Sequence, residues 1–429
     1  MLKINDLRAF LGARMLNFCG KMVMGAAFGL FMAFSAFGLS GCKSEAGGDV
    51  KTADCGELPA LEYSENLKMG KLCGEDYAEI RSIVGRDTLI KRFKLGAPLK
   101  RVVALSSSQV GYMLRLGLRD RIVAVGEGRY LVDSLLYARV QKGEVAEVGN
   151  GPTLSLEKLM ATKPDLVFDF ATGGGMDDYE RIGAIGLSLM LTSEWQERTP
   201  LAKAEWIKLF GRLFGVEALA DSIFEQSKNA YLQAVDGGVA GVSPARGGSE
   251  QQRANEGETS PHKSAQDDTI PHSTSHIPHT PCPRVLVGMS YGGVWHAPGG
   301  KSFTAQLIKD AGGCYLWAAD TNQDLQFSLE EILQVADSAD VWVNPGMFAT
   351  VEDLLMAEPR VKYIRAFKEK RVYQNDGIKG AGGGNDFFES AVAYPAEILT
   401  NLRLCIQNST NGADSTRKGF DWYHNIFIF

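Results

Sequence analysis

The chain has 429 residues, of which 45% are hydrophobic, so it can bury a large core and can form two domains or lobes at about 100–200 residues each. Its formal net charge of −6 argues against a general nucleic-acid-binding surface. Outside the N-terminal region, no apolar run reaches the roughly 18 residues that a membrane-spanning helix needs.

Residues 1–41 have the pattern of a secretory signal peptide. An apolar run over residues 22–39 follows a basic start, and small residues close it. The basic residues are Lys3, Arg8, Arg14 and Lys21. The motif Leu39-Ser40-Gly41-Cys42 resembles the bacterial lipobox, which implies cleavage before Cys42 and diacylation of its thiol. We therefore expect a protein that is lipid-anchored to a bacterial cell membrane and faces the periplasm or the exterior. The alternative is an ordinary N-terminal membrane helix.

Residues 42–91 are predicted to be a tether and an N-terminal segment, because the chain beyond Cys42 is small and polar. Five cysteines remain after the signal peptide and the lipidation site, and export permits disulfides. They are Cys55, Cys73, Cys282, Cys314 and Cys405. Cys55 and Cys73 share this polar segment, which favours their pairing, although sequence alone does not determine the connectivity.

Residues 92–197 and 284–407 alternate short apolar strands with helices. The predicted strands cover residues 101–105, 121–125, 165–170, 187–191, 285–289, 340–343 and 371–373. The predicted helices cover residues 109–116, 155–162, 177–185, 303–311, 328–335, 351–356 and 387–405. This alternation indicates parallel sheets with helices on both faces. We predict an α/β protein with two doubly wound parallel-sheet lobes.

Residues 198–235 are predicted to form a linker helix that breaks or bends near residues 211–215. Its second part, residues 217–235, contains no Pro or Gly and would extend roughly 28 Å at 1.5 Å per residue. That length is enough to cross a domain.

Residues 236–283 interrupt the α/β pattern. They are nearly free of large apolar side chains, so burial cannot offset the entropy of ordering them, and we predict a disordered low-complexity insertion. It contains candidate ligands for a soft metal ion, but their irregular spacing favours a solvated loop over a metal site. These residues are His262, His272, His276, His279 and Cys282.

Two segments repeat one pattern, residues 154–160 and residues 327–333. In each, a serine can cap a helix, and a glutamate two positions later lies in the first turn, where the helix dipole favours a carboxylate. The glutamates are Glu157 and Glu330. Capping alone would explain both copies, but their equivalent positions in the two halves indicate two related lobes.

The order of these segments resembles the bacterial periplasmic solute-binding lipoproteins of ABC importers, in the family for iron–siderophores, haem and vitamin B12. The resemblance covers residues 92–407 without the insertion. It rests on residues 101–106, 155–167, the long helix from Glu217, and residues 328–330, 341–344 and 371–373. It implies that a single long rigid helix joins the lobes and that a ligand cleft lies between them. We expect a monomer without an intrinsic cofactor, whose bound ligand is an iron chelate, haem or a corrinoid.

In that family, one surface glutamate on each lobe docks onto arginines of the membrane permease. The resemblance assigns this role to Glu157 and Glu330. Exposed carboxylates at two separated points suit a permease dimer with basic pockets, which favours docking over helix capping alone.

The ligand site is predicted at the loops that follow the strands, because open parallel sheets bind ligands beyond the carboxyl ends of their strands. These loops are rich in glycine and in rings that can hold a large flat or chelated ligand, and arginines can pair with its carboxylates. The candidate ligand-binding residues are Arg129, Tyr130, Trp195, Arg198, Tyr291, Trp295, His296, Trp317 and Asn385.

Several of these residues have a structural alternative. Trp195 and Trp317 can pack between the lobes, and Arg198 can brace the linker helix. His296 can ligate haem iron or corrinoid cobalt, but a histidine beside a proline turn is more often structural. The glycines at 382–384 either let the backbone approach the ligand or form a turn.

The sequence contains no Walker loop, no nucleophile elbow, no HExxH zinc motif and no GxGxxG after a strand. We predict a binding protein rather than an enzyme, with no catalytic residues and no metal site. A chelatase-like or redox enzyme of similar architecture is the alternative, and a structural surface lipoprotein is a third. Residues 408–429 lie outside the resemblance and are predicted to be a tail.

Overall fold

The computed structural model describes residues 56–175, 177–239, 282–317, 321, 323–348, 350–407 and 422–427. Val50–Phe429 forms one compact unit. The predicted signal peptide, the lipidation site Cys42, Cys55, and most of the insertion and of the tail lie outside the described residues.

The described chain begins with a three-stranded antiparallel sheet, which we call the N-terminal meander. Its strands, in spatial order, are β1 (Leu67–Leu72), β2 (Glu75–Val84) and β3 (Asp87–Lys94). Glycines with positive φ make its turns, Gly74 at +84° and Gly85 at +63°, a conformation that glycine adopts without steric cost. Leu67 and Ile80 belong to the core of the following lobe, so residues 67–94 are a folded part of that lobe. The predicted boundary at residue 92 falls inside β3.

The N-terminal lobe is built on a five-stranded parallel sheet with the order β6-β5-β4-β7-β8. Its strands are β4 (Val102–Ala104), β5 (Ile122–Val125), β6 (Ala146–Glu147), β7 (Leu166–Asp169) and β8 (Leu189–Leu191). Its helices are α1 (Ser107–Arg115), α2 (Ser134–Gln141), α3 (Leu156–Ala161) and α4 (Tyr179–Ala184). Val102 and Phe168 pack on one face of the sheet and Val103 and Val167 on the other, since helices cover both faces.

The linker consists of α5 (Pro200–Glu205), α6 (Ile207–Phe214) and α7 (Glu217–Val239). The predicted break is confirmed at Gly215, whose φ of +70° ends α6. The 23-residue α7 packs against both lobes. Its Phe224 joins the N-terminal core and its Tyr231 the C-terminal core, where the Tyr231 hydroxyl donates to Asp310 Oδ2 at 2.6 Å. One helix therefore joins the two lobes rigidly, as predicted.

The C-terminal lobe has a five-stranded sheet with the order β12-β9-β14-β15-β16 and a smaller antiparallel sheet, β10-β11-β13. Its strands are β9 (Arg284–Val287), β10 (Met289–Tyr291), β11 (Val294–Ala297), β12 (Cys314–Tyr315), β13 (Leu325–Ser328), β14 (Val341–Val343), β15 (Val372–Gln374) and β16 (His424–Asn425). Its helices are α8 (Phe303–Asp310), α9 (Leu329–Ala336), α10 (Val351–Ala357), α11 (Arg365–Lys368) and α12 (Pro395–Gln407).

The end of the chain completes this lobe. Strand β16 pairs antiparallel with β15 at the edge of the otherwise parallel sheet. Trp422, Tyr423 and Ile426 are buried in the core. The last described residues are therefore part of the C-terminal lobe rather than a detached tail. The two-lobed α/β architecture is confirmed.

Two disulfides involve residues of the described chain. Cys282 bonds to Cys314 across a Cα–Cα distance of 5.7 Å, which ties the end of the insertion to β12. Cys282 is therefore unavailable as a thiolate ligand for a soft metal. Cys73 is also disulfide-bonded, but its predicted partner Cys55 lies outside the described residues, so that pairing stays a prediction. Cys405 is free and buried.

None of the helices in the described ranges is both long enough and apolar enough to span a bilayer.

Candidate functional site

Two buried carboxylates fasten the N-terminal segment to the start of the linker. Glu205 accepts hydrogen bonds from the backbone N–H groups of Tyr63 at 2.8 Å and Ser64 at 3.0 Å. Glu197 accepts from Ser64 Oγ at 2.5 Å and from Trp206 Nε1 at 2.8 Å. Buried charges need such partners, since leaving one unsatisfied costs about 1–3 kcal/mol or more. The meander is therefore held beside the loop that follows β8.

A cavity of about 240 Å³ lies between the two lobes, and we call it the aromatic cavity. Its lining comes from the loop after β8, from α5, α8 and α12, and from the segment before α12. The lining residues are Trp195, Pro200, Lys203, Phe303, Thr304, Leu307, Phe387, Phe388, Ala391, Val392, Pro395 and Ile398. Trp195 is 43% exposed and Phe388 59%, so both rings are open to a bound molecule.

Local capping brings these rings to the cavity. Ser302 accepts from Ala305 N and starts α8, which presents Phe303 in its first turn. Asn385 accepts from Phe387 N at 3.0 Å and starts the short helix Asp386–Phe388. Asn385, predicted as a ligand contact, caps this short helix and is not among the described lining residues of either inter-lobe cavity.

Lys203 is the only cation among the described lining residues of the aromatic cavity. Its Nζ lies 5.2 Å from the centroid of the Phe303 ring. Burial lowers the pKa of Lys203, and the nearby Glu194 carboxylate opposes that shift. Glu194 is itself buried, accepts from Ser108 Oγ at 2.5 Å, and has its Oε2 without a hydrogen-bond partner in the described structure. The cavity therefore combines aromatic surface with one incompletely solvated positive charge.

A second cavity, of about 270 Å³, has a polar lining and is called the cationic cavity. Arg198, a predicted ligand contact, lies here and donates from Nε to Glu65 Oε2 at 3.0 Å. Its partner belongs to the N-terminal segment, so Arg198 braces that segment as well as facing the cavity. The lining residues are Glu65, Asn66, Arg81, Ile83, Gln196, Arg198, Lys301 and Thr321.

The glycines at 382–384 form a contact between the lobes. A Cβ at Gly384 would lie 2.1 Å from the carbonyl oxygen of Tyr130, and one at Gly382 would lie 2.7 Å from that of Arg129. Only glycine allows this approach of two backbones. Of the two predicted alternatives, the turn is confirmed, because the Gly383 N–H donates to the carbonyl oxygen of Gly380 at 2.9 Å, and this turn packs on the backbone of the other lobe.

Arg129 and Tyr130 lie away from the aromatic lining. Arg129 pairs with Glu127 at 2.5 Å and covers the Tyr130 ring at 4.8 Å. Arg129 lines a third cavity, of about 390 Å³, which is confined to the N-terminal lobe. Tyr130 is 51% exposed, so its ring remains accessible beside the glycine contact.

The predicted residues of the C-terminal lobe are spread over its smaller sheet. Tyr291 is 49% exposed, and its ring lies 6.4 Å from that of Phe348. Trp317 is half-buried against Phe327, with ring centroids 5.1 Å apart. His296 is half-buried in β11, paired with Met289 and Gln326. None of these residues lines either inter-lobe cavity.

The interpretation of Trp295 as a ligand contact is wrong. Its side chain is fully buried, its Nε1 donates to the carbonyl oxygen of Val287 at 3.0 Å, and its ring packs 5.4 Å from that of Trp342. A tryptophan whose polar atom and ring are both satisfied inside a lobe has no surface left for a ligand.

The repeated glutamates lie on the surface of separate lobes. Glu157 is exposed in the first turn of α3, which Ser155 caps. Glu330 is exposed in the first turn of α9 and pairs with Arg360 Nη1 at 2.7 Å. Glu331, not Glu330, completes the capping box with Ser328. Glu331 therefore has a capping role. The exposed carboxylates of Glu157 and Glu330 do not take part in the capping hydrogen bonds.

Sequence reasoning missed most of the aromatic cavity. Phe303 begins the predicted helix 303–311, and Phe387 and Phe388 begin the predicted helix 387–405, so all three were assigned to helices rather than to the ligand-binding loops. No feature of the sequence identified Lys203 as a cavity residue, because a lysine on a short amphipathic helix usually faces solvent.

Comparison with known proteins identifies the fold. Residues 102–236 match the model of a family described as periplasmic binding protein. An uncharacterized lipoprotein of Methanocaldococcus jannaschii is 20% identical over 329 residues, which cover 74% of this chain and 67% of that relative.

Three solved structures have the same fold at low sequence identity. A periplasmic binding protein from Veillonella parvula superposes with a TM-score of 0.51 at 13% identity, covering 76% of this chain and 97% of that one. The periplasmic heme-binding protein RhuT from Roseiflexus sp. RS-1, in apo form, gives 0.50 at 17% identity, with coverages of 72% and 98%. Helicobacter pylori Ceue with Ni(II) bound gives 0.50 at 13% identity, with coverages of 79% and 92%.

Proposed function

We propose that this protein is the substrate-binding component of an ABC importer, because residues 102–236 match the model of a family described as periplasmic binding protein. Its cargo is a metal chelate, a ferric siderophore, haem or a cobalamin, which it holds between its lobes and delivers to a permease dimer in the membrane.

The observation that carries this proposal is the aromatic cavity. Rings from both lobes, Trp195 on one side and Phe303 and Phe388 on the other, surround a space that a planar or catechol-like ligand can fill by stacking. The volume of about 240 Å³ is below the roughly 300–1,000 Å³ of typical small-molecule sites. A chelate the size of haem therefore fills the cavity and extends into its mouth, against the exposed faces of Trp195 and Phe388.

Lys203 gives the site its preference for anions. A cation at the wall of an apolar cavity is poorly hydrated. An anionic chelate stabilises this cation electrostatically in place of the missing water. Ferric catecholates and haem propionates are such anions. Burial lowers the pKa of Lys203, and the buried Glu194 carboxylate nearby partly opposes that shift.

The chelatase-like or redox alternative requires ligating or acid–base side chains at the reacting centre. The described lining of the aromatic cavity contains no His, Cys, Asp or Glu. The same described lining therefore offers no set of metal ligands, and Lys203 is its one titratable side chain.

We also propose that Cys42 anchors the protein by lipid outside the cytoplasm, which the similarity to an M. jannaschii protein described as a lipoprotein supports. Membrane fractionation of Cys42→Ser tests this. The variant should be released or remain uncleaved, and a cleaved variant that stays on the membrane would refute the anchor.

Titration of the purified soluble protein tests the cargo. Haemin, a ferric catecholate, a ferric hydroxamate and cobalamin are added separately, and quenching of tryptophan fluorescence is followed. We expect one class to saturate, and Trp195→Phe should reduce the amplitude of the quenching. Lys203→Met should weaken an anionic chelate at least tenfold, whereas Lys309→Met, an exposed lysine on α8, should not. If no chelate saturates, or if Lys203→Met binds equally well, the proposal is wrong.

A further inference from the structure

The cationic cavity adjoins the aromatic cavity along the same cleft. Consecutive residues line the two, Trp195 the aromatic cavity and Gln196 the cationic one. On the C-terminal lobe, Lys301 lines the cationic cavity and Phe303, two residues later, lines the aromatic one. A ligand that fills the first cavity is therefore beside the second.

The charge of this cavity is opposite to that of the whole chain. Its described lining has three cations, Arg81, Arg198 and Lys301, and one carboxylate, Glu65, in a protein of net charge −6. Glu65 pairs with both Nε and Nη2 of Arg198, so these two charges offset each other. The Arg81 guanidinium has one neutral acceptor, Asn66 Oδ1 at 3.2 Å, and no carboxylate within salt-bridge distance in the described structure.

The wall that carries Arg81 is held rigidly. Gln196 bonds the backbone of Ile83 twice, accepting from its N–H at 2.8 Å and donating to its carbonyl oxygen at 2.6 Å. One position earlier, Ser82 Oγ lies 2.5 Å from Ser193 Oγ. These bonds fix β2 of the meander against the loop after β8, so Arg81 is positioned before any ligand arrives.

We propose that the cationic cavity is a subsite for a carboxylate or phosphate group, and that this group is an acidic arm of the chelate held in the aromatic cavity. The planar Arg81 guanidinium can bind such an oxyanion bidentately, and Lys301 lines the same cavity from the other lobe. The second half of this statement rests on the proposed function. The N-terminal meander thereby contributes a ligand contact of its own, through Arg81.

Thermal unfolding with citrate and with inorganic phosphate, at ionic strength kept constant with NaCl, tests the subsite. Millimolar citrate or phosphate should raise the Tm of the wild type by about 2–4 °C, because an anion that binds only the folded state stabilises it. Arg81→Gln and Lys301→Gln, on separate elements, should each lose at least half of that rise. The matched control is Arg86→Gln, an exposed arginine in the turn after β2, which should keep it. Equal rises in Arg81→Gln and the wild type, or no rise in any protein, would overturn the subsite.

Competition assigns the source of the anion. The tightest chelate from the titration above is measured again in saturating citrate, where its apparent Kd should rise about tenfold if its own acidic arm uses the cavity. An unchanged Kd would show that a separate anion binds there and would overturn the assignment to the chelate. If no chelate binds, the proposed function and this assignment fail together, while the dependence of citrate binding on Arg81 still decides the subsite.

Discussion

Glu389 of the C-terminal lobe accepts a hydrogen bond from the backbone N–H of Val132 in the N-terminal lobe at 2.9 Å. It accepts a second from Asp133 N at 3.0 Å, and its side chain is 1% exposed. Beside it, the glycines at 382–384 pack on the backbone of residues 129–130. One buried carboxylate and one glycine segment thus connect the two lobes, in addition to the long helix α7.

Removing this carboxylate should weaken the fold. Glu389→Ala leaves two buried N–H donors without an acceptor, which should lower the free energy of unfolding by about 1–3 kcal/mol. Glu389→Gln keeps an acceptor oxygen and should lose less. Urea unfolding measures both variants, and a Glu389→Ala protein as stable as the wild type would show that these bonds contribute nothing.

Asp169 should make the protein less stable as the pH rises. Burial raises its pKa from 3.8 to about 7, and its Oδ2 has no hydrogen-bond partner in the described structure. A raised carboxyl pKa gives a stabilisation that is complete below 3.8 and is lost as the pH rises through about 7.

Asp169→Asn removes the charge, so it should gain on the order of 2–4 kcal/mol relative to the wild type at pH 8 and little at pH 4. Unfolding curves at both pH values measure this difference. Glu389, whose pKa burial also raises to about 7, should leave a residual dependence of the same sign. The exposed Asp221→Asn is the control. An Asp169→Asn variant with the wild-type pH profile would contradict the assignment.

The sheets could be predicted from the sequence because strands buried on both faces are continuous apolar runs. β4, β7, β9 and β14 all lie within or next to their predicted ranges. The meander was missed, since β3 has mostly exposed side chains and its sequence does not differ from that of a polar tether. β16 was missed because two residues carry no periodicity.

Loss of the Cys282–Cys314 disulfide should destabilise the C-terminal lobe. The bond closes a sequence separation of 32 residues, for which the chain-entropy estimate is about 3–4 kcal/mol. The double variant Cys282→Ser, Cys314→Ser should show this loss in non-reducing urea unfolding. If the urea midpoint of this variant equals that of the wild type, the disulfide does not contribute to the stability of the lobe.

Permease docking should depend on Glu157 and Glu330. Changing both to Ala should leave chelate affinity unchanged, because neither lines an inter-lobe cavity, and should abolish uptake. Each single change should reduce uptake in part. Since such charges mainly set association rate and orientation, the docking defect should depend on salt. Loss of chelate binding in the double variant, or normal uptake by it, would contradict the docking role.

Glu157 and Glu330, the two proposed docking residues, differ in that only Glu330 is paired with an arginine, Arg360, in the described structure. Arg360 pairs with Glu330, so a permease arginine that docks at Glu330 as proposed would have to displace it, whereas no salt bridge to Glu157 is found within the described structure. Arg360→Gln should therefore increase the association rate with the permease, measured by surface plasmon resonance, if Glu330 takes part in docking. A slower association would indicate that Arg360 itself contacts the permease.

The site was less predictable than the sheets. The strand-end rule located the loops of Trp195 and Arg198, and both residues line inter-lobe cavities. It misassigned Trp295, because a loop rich in glycine does not reveal which side chain turns into the core. Lys203 and Arg81 could not be identified, since their significance depends on packing between elements far apart in the chain.

The most direct measurement of the central claim is anomalous diffraction at the metal absorption edge from crystals grown with the chelate that saturates in titration. The account predicts one anomalous peak between the lobes, in or at the mouth of the cavity lined by Trp195, Lys203 and Phe388. A peak on the outer surface of one lobe, or none where solution binding is saturated, would contradict it.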